Sequence, residues 1–195
     1  MTSPARTREA LGQSIEIKTK ILKDEALLAQ VQRTVDMSVQ SLETGGCLYF
    51  CGNGGSAADA QHLAAELSGR FYYDRPPLAA EALHANSSFL TAVANDYSYD
   101  DIFSRYVSAR VKKGDVLFGF TTSGNSKNVL KAFEAARQLK ALTIAFTGES
   151  GGKIKSISDI CIQIPSTDTP RIQEAHITLG HIVCELIEAK MFPKK

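Results

Sequence analysis

No stretch of the 195 residues approaches the roughly 18 consecutive apolar positions of a membrane-spanning helix. The N-terminus MTSPARTREA is polar, with no apolar run of signal-peptide type behind it. The expectation is a soluble, cytoplasmic protein with no membrane partner. An excess of one charge is equally missing: 22 Lys and Arg stand against 21 Asp and Glu, and no basic block exists to neutralise a phosphate backbone. Nucleic acid is therefore excluded as a principal ligand. The four cysteines, Cys47, Cys51, Cys161 and Cys184, form no CxxC pair. Three lie inside apolar runs, where thiols act as small core side chains. Cys47 and Cys51 are four apart in a strand-like run and share a face, but no partners for a metal site are identifiable. No GxxxxGK followed by Ser or Thr is present, which excludes a nucleotide-hydrolysing P-loop. With 44% apolar and 22% charged residues, the chain can bury one core of about two-thirds of its unfolded surface.

Gly and Pro are also absent from Gln13 to Thr44. There Leu11, Ile15, Ile21, Leu22, Leu27, Leu28, Val31, Val35, Val39 and Leu42 recur near three- and four-residue spacing, which predicts two amphipathic helices with a break near Lys23 to Glu25. Helices placed ahead of a domain in this way pack on a neighbouring subunit, so an oligomer is expected. From Gly45 the pattern changes to short apolar strands, each followed by a small-residue loop and a helical stretch: CLYFC (47–51), DVLFGF (115–120), ALTIAF (141–146) and DICIQI (159–164). Alternating β and α units imply a doubly wound α/β parallel sheet covered on both faces. PLAAEAL (77–83) adds a further strand candidate. Ser87 to Asn95, Asp100 to Val111 and Thr169 to Met191 read as helices. The chain divides into a helical extension, residues 1–45, and a single domain, residues 46–195.

Ligands of an open parallel sheet gather at the carboxyl ends of its strands, where loops meet helix N-termini. Two loops there have phosphate chemistry. Gly52-Asn53-Gly54-Gly55-Ser56 follows the first strand. Thr121-Thr122-Ser123-Gly124-Asn125-Ser126 follows DVLFGF and supplies four hydroxyls beside exposed backbone. Without a nearby lysine, such loops suit a small phosphomonoester held by hydrogen bonds; as plain turns they would only cap helices. Gly52-x-Gly54-x-x-Ala57 formally fits a dinucleotide fingerprint, but Asp74, where the acidic partner should close a second strand, is followed by Arg-Pro-Pro. A nicotinamide enzyme is discounted.

Behind the first loop, His62 and Glu66 are four apart and share a helical face, a polar pair expected to overlook the ligand end of the sheet. The last helix carries Gln173 and His181; His84 and His176 read as structural or surface residues.

CGNGGSAADAQHLAAELSGR, the Ala-Asn-Asp of residues 94–96, TTSGNS and RIQEAHITLGH together resemble the phosphoheptose isomerases of the sugar isomerase (SIS) domain superfamily over nearly the whole chain. The resemblance implies the SIS-type fold, a flavodoxin-like three-layer α/β, assembled as a homotetramer. It implies one zinc ion per subunit, held by His62, Glu66, Gln173 and His181, with Glu66 and His181 also catalytic. It places a sugar phosphate against Asn53, Gly54, Gly55, Ser56, Glu66, Asn95, Asp96, Thr121, Thr122, Ser123, Ser126 and Gln173. The reaction implied interconverts sedoheptulose 7-phosphate and D-glycero-D-manno-heptose 7-phosphate, the first step of bacterial heptose biosynthesis, which supplies lipopolysaccharide and related glycans. Glu66 would carry the carbon-bound proton and His181 the oxygen-bound ones, zinc polarising the carbonyl or holding the open-chain sugar. Some relatives have an acidic residue where this chain has Pro170, and any role of that side chain does not transfer.

Gln173 and His181 are eight residues apart, about 12 Å along an ideal helix. Either the helix is irregular near Gln173 or the ligands meet across a subunit boundary. A rival of another class is the non-catalytic SIS-domain regulator that binds the bacterial replication initiator; it lacks a histidine at the position of His181 and departs from GNGGS, both present here. A sugar-phosphate-sensing domain would need the loops but not His62, Glu66 and His181.

Overall fold

The structure, a computed structural model, describes residues 4–194. It opens with α1 (Pro4–Leu22) and α2 (Glu25–Glu43), broken where the periodicity lapses. Asp24 restarts the helix: its carboxylate accepts the Leu27 amide at 3.0 Å, satisfying a donor that a helix N-terminus leaves free. Five strands follow, β1 (Leu48–Gly52), β2 (Ala80–Ala82), β3 (Val116–Phe120), β4 (Leu142–Thr147) and β5 (Ile160–Gln163). Between and after them come α3 (Gly55–Ser68), α4 (Ser87–Asp96), α5 (Ile102–Arg110), α6 (Lys127–Gln138) and α7 (Thr169–Met191). The sheet order is β2-β1-β3-β4-β5, every neighbouring pair parallel, so PLAAEAL contributes only a short edge strand.

Period-2 alternation divides the core between two faces. Leu48, Phe50, Val116, Phe118, Phe120, Ile144 and Phe146 face α1, α2, α3 and α7. Tyr49, Cys51, Leu117 and Ala145 face α4, α5 and α6. Phe50 stacks on Phe118 with ring centroids 4.7 Å apart, and Phe120 on Phe146 at 4.8 Å. Ile17, Ile21, Leu27, Val31 and Val35 of the helical pair are buried in the same core as the sheet. Leu11, Ile15 and Leu22 of α1 remain 60%, 65% and 71% exposed, an apolar face largely uncovered by the described residues of one chain. All four cysteines are free: Cys51 and Cys184 are buried, Cys47 and Cys161 half-buried. Burial pushes the Cys184 thiol up to about 12, so it sits in the core as a neutral group.

Strand order reverses between β1 and β3, and the crevice of such a sheet lies outside the carboxyl ends at that point. Both loops singled out from the sequence open there.

Candidate active site

α3 and α7 leave the carboxyl end of the sheet and descend one face side by side. Gly55 lies against Gln173, Leu63 against Gly180, and the segment after α3 meets Glu188. A Cβ on Gly180 would stand 2.5 Å from Leu63 Cδ1, so glycine lets the helices approach closely enough for the next residue, His181, to reach across. There His181 Nε2 lies 2.9 Å from His62 Nε2, which is 3.1 Å from Glu66 Oε1. The three ligand-type atoms of His62, Glu66 and His181 all fall within 4.8 Å of one another. Two imidazole nitrogens this close need either a shared proton or a cation between them. Two imidazoles and a carboxylate form the donor set of catalytic zinc sites that keep an open position, and the trio fits a divalent cation. The site is open to solvent, with the side chain of His62 half exposed. The Phe71 ring, centroid 5.8 Å from that of His181, forms one wall. Its neighbour Tyr72 points to solvent.

The expected height of the pair needs correction. A helix that follows a strand of a parallel sheet runs back antiparallel to it. His62 and Glu66 therefore lie about 10 and 16 Å along α3 from Gly55, on the flank of the domain rather than over the ligand end of the sheet. Gln173 stays at the upper end: a Cβ on Gly55 would stand 2.8 Å from its Nε2. α7 is continuous from Thr169 to Met191, so the irregular-helix alternative is removed and Gln173 does not join the trio within one chain. Pro170 occupies the first turn of α7, where a missing amide costs nothing.

The hydroxyl loop is held at both ends. Thr121 Oγ1 and Ser126 Oγ are 3.0 Å apart, Thr122 O accepts the Gly148 amide, and Gly124 O accepts that of Ile154. Ser126 precedes α6 without capping it through its side chain; the Val129 amide is taken by Asn128 Oδ1 at 2.9 Å, which leaves the amides of Lys127 and Asn128 to face an anion. Thr122 and Ser123 line a cleft of about 320 Å³ with Glu149, Ser150, Ser166 and Thr169. Gly124 is left-handed (φ +66°), and a Cβ there would stand 2.1 Å from Gly151 O. Gly124→Ala is expected to cost about 1–2 kcal/mol in backbone conformation alone and, by moving the loop off the Gly151 segment, to raise the KM for a phosphorylated substrate more than it lowers kcat; steady-state kinetics checks this.

In the glycine loop, Asn53 and Asn128 exchange amide hydrogen bonds of 2.9 and 2.8 Å, and Tyr99 OH donates to Asn53 Oδ1 at 3.0 Å. Ser56 is buried beneath Gly52. Sequence reasoning missed Asn128 and Tyr99; an asparagine two residues into a helix, where it is disfavoured unless its side chain is bonded, was the available signal for the first. Asn95 donates to its neighbour Asp96 on the exposed end of α4, and among the described residues no hydrogen bond joins that pair to either loop.

A family model described as the SIS domain matches residues 12–148. The chain is 50% identical over 189 residues to the phosphoheptose isomerase of Mycobacterium tuberculosis, covering 96% of each protein. It is 49% identical over 181 residues to phosphoheptose isomerase 2 of Campylobacter jejuni, covering 93% of this chain and 90% of that protein. The structure of phosphoheptose isomerase GmhA from Neisseria gonorrhoeae superposes with a TM-score of 0.90 at 41% identity, covering 96% of this chain and all of that one.

Proposed function

We propose, for a chain that belongs to the phosphoheptose isomerases of the SIS-domain family, that it interconverts sedoheptulose 7-phosphate and D-glycero-D-manno-heptose 7-phosphate through an enediol. The observation that carries this reading is the convergence of Glu66 and His181 from two helices onto one solvent-accessible point. Glu66 takes the proton from C1 of the ketose and returns it to C2; His181 moves a proton between the two oxygens. The loops at 53–56 and 121–126, with Gln173, hold the phosphate and the sugar chain, and Asn95 and Asp96 complete the substrate contacts. Zinc, one per subunit, is the cation we assign to His62, Glu66 and His181, with Gln173 as a fourth ligand only if another subunit brings it there; when bound it would polarise the carbonyl or fix the open-chain sugar. A carboxylate on a metal is a weaker base, so ligation and proton abstraction by Glu66 compete.

Two features support a shared site in a homotetramer. The upper loops and the trio of one chain are about 10 Å or more apart along α3, and the apolar face of Leu11, Ile15 and Leu22 lacks a cover. Residues 1–45 then serve as an assembly extension of the SIS unit 46–195. A cytoplasmic place in heptose supply to lipopolysaccharide or similar glycans goes with this reading. GNGGS and His181, together with relatives named as isomerases at about half identity, favour an enzyme over the replication-initiator regulator.

The test is to incubate the purified protein with sedoheptulose 7-phosphate and look for the aldose; no conversion at any metal loading ends the reading. A chelator is expected to abolish turnover, and added zinc to restore it, with circular dichroism unchanged. Turnover indifferent to the chelator would leave the trio to proton transfer alone. A monomeric variant with full turnover would contradict the shared site.

A further inference from the structure

Below the trio, the ends of both helices meet at a buried ion pair that the reaction itself does not use. The side chains of Arg75 and Glu188 are 2% and 1% exposed, with Arg75 Nε donating to Glu188 Oε1 at 3.0 Å. The rest of the guanidinium is turned to the end of α3, apart from one bond of Nη1 to Pro76 O at 3.1 Å. Nη2 donates to the Glu66 carbonyl at 2.9 Å, and Nη1 to the carbonyls of Leu67 at 2.7 Å and Gly69 at 3.0 Å. A helix C-terminus leaves its last carbonyl oxygens without intrahelical partners, and a cation there also complements the helix dipole. The Glu188 carboxylate, on α7, accepts the amides of Phe71 at 2.9 Å and Tyr72 at 2.8 Å. Burial alone would raise its pKa; the two amides and Arg75 outweigh burial and hold the carboxyl below its ordinary range. Tyr73 closes the knot, its hydroxyl donating to Phe192 O at 2.8 Å.

One fork thus grips the backbone of Glu66 and, through Glu188, fixes the amide of Phe71, whose ring leans on His181. A buried pair is weak support for stability, because well-packed apolar residues often match or exceed it. What apolar residues cannot supply is donors for the Glu66 and Gly69 carbonyls and acceptors for two loop amides; the Leu67 carbonyl also accepts the Leu78 amide at 3.1 Å. We propose that Arg75 and Glu188 are positioning residues that set the distance between the Glu66 carboxylate and the His181 imidazole. This rests on the assignment of proton transfer to those two side chains.

The experiment compares the full-length enzyme with Arg75→Lys, Glu188→Gln and the apolar double variant Arg75→Met/Glu188→Leu. It measures folded fraction, kcat, KM and the isotope effect with sedoheptulose 7-phosphate deuterated at C1. Misplacing the base by a fraction of an ångström is expected to lower kcat about 10- to 100-fold in folded protein, with KM nearly unchanged and the isotope effect increased as proton transfer becomes limiting. A folded variant with parental kcat and isotope effect overturns the proposal. So does a loss of kcat that only tracks the folded fraction with the isotope effect unmoved. If no variant folds, hydrogen exchange on the parent enzyme decides: the loop amides of Phe71 and Tyr72 should exchange as slowly as those inside α3, and fast exchange overturns the clamp. Glu66→Gln, run alongside, separates the two readings, since full turnover there removes the proton-transfer assignment whatever Arg75 does.

Discussion

Glu66→Gln is expected to lose about 10²- to 10⁴-fold in turnover, the range in which a positioned acid or base contributes. The amide has the size of the carboxylate and still offers an oxygen to His62, 3.1 Å away, so the helix pair has no reason to move. It cannot accept a proton from carbon. Loss of an interaction made only in the transition state lowers kcat with little change in KM. Exchange of the C1 hydrogen of the ketose with solvent deuterium should fall by the same factor. His181→Ala should lower turnover in the same range by removing the carrier between the oxygens. The double variant should be little worse than either single one, since residues that act as a unit are not additive. Metal content separates the competing role: turnover that falls in step with bound zinc and returns with excess metal makes Glu66 a ligand. A fully metallated but inactive Glu66→Gln makes it the base. Full turnover in both single variants removes the mechanism even with the activity intact.

The parts of this site that were legible in the sequence are local ones. The four-residue spacing of His62 and Glu66 fixes their shared face before any packing is known, and the small-residue loops at 52–56 and 121–126 follow recognisable strands. The same holds for the fold: β1, β3, β4 and β5 and the break at Asp24 lie within a residue or two of the pattern, whereas β2 keeps only three residues of PLAAEAL because an edge strand pairs on one side. What was hidden depends on contacts across many residues. His181 reaches His62 over 119 positions because Gly180 clears Leu63, and nothing in the local pattern marks that glycine as a contact point. The height of the trio follows from helix direction rather than from composition. Arg75, in the polar run Asp74-Arg-Pro-Pro, reads as a surface loop residue until α7 brings Glu188 beneath it.

His176 was expected to be a structural or surface residue, and its full burial makes it an acid-sensitive point of the fold. The ring is fully buried, edge-on to Phe120 and Phe146, with centroids 5.9 and 5.8 Å away. Nε2 lies 3.1 Å from Thr147 O, so it carries the hydrogen and donates; Nδ1 has no partner. Protonation would place a charge in the core, and burial pushes the pKa down to about 4 against the opposing pull of the Thr147 carbonyl. Above about pH 6.5 both folded and unfolded chains hold a neutral ring, and His176 adds no pH dependence. As pH falls from about 6.5 towards 4, the unfolded chain binds a proton that the folded one refuses, and stability is lost across that window. The full loss is about 3 kcal/mol, a large share of a typical domain's stability. Glu188, held below its ordinary range, acts with the same sign, and its share is lost from the acid end of the same window downward, as the unfolded carboxyl takes up a proton that the folded one still refuses. Burial lowers the His84 pKa as well, so the His176 share is read as the difference between parent and His176→Gln in the change of denaturant midpoint from pH 7 to 4.5. His176→Gln can donate the same hydrogen bond without titrating and should flatten most of the drop. It should also keep the substrate KM, because Thr147 leads into Gly148, whose amide holds Thr122 of the loop proposed to bind the phosphate. A glutamine variant that weakens as steeply as the parent between those two pH values would show that the acid sensitivity resides elsewhere.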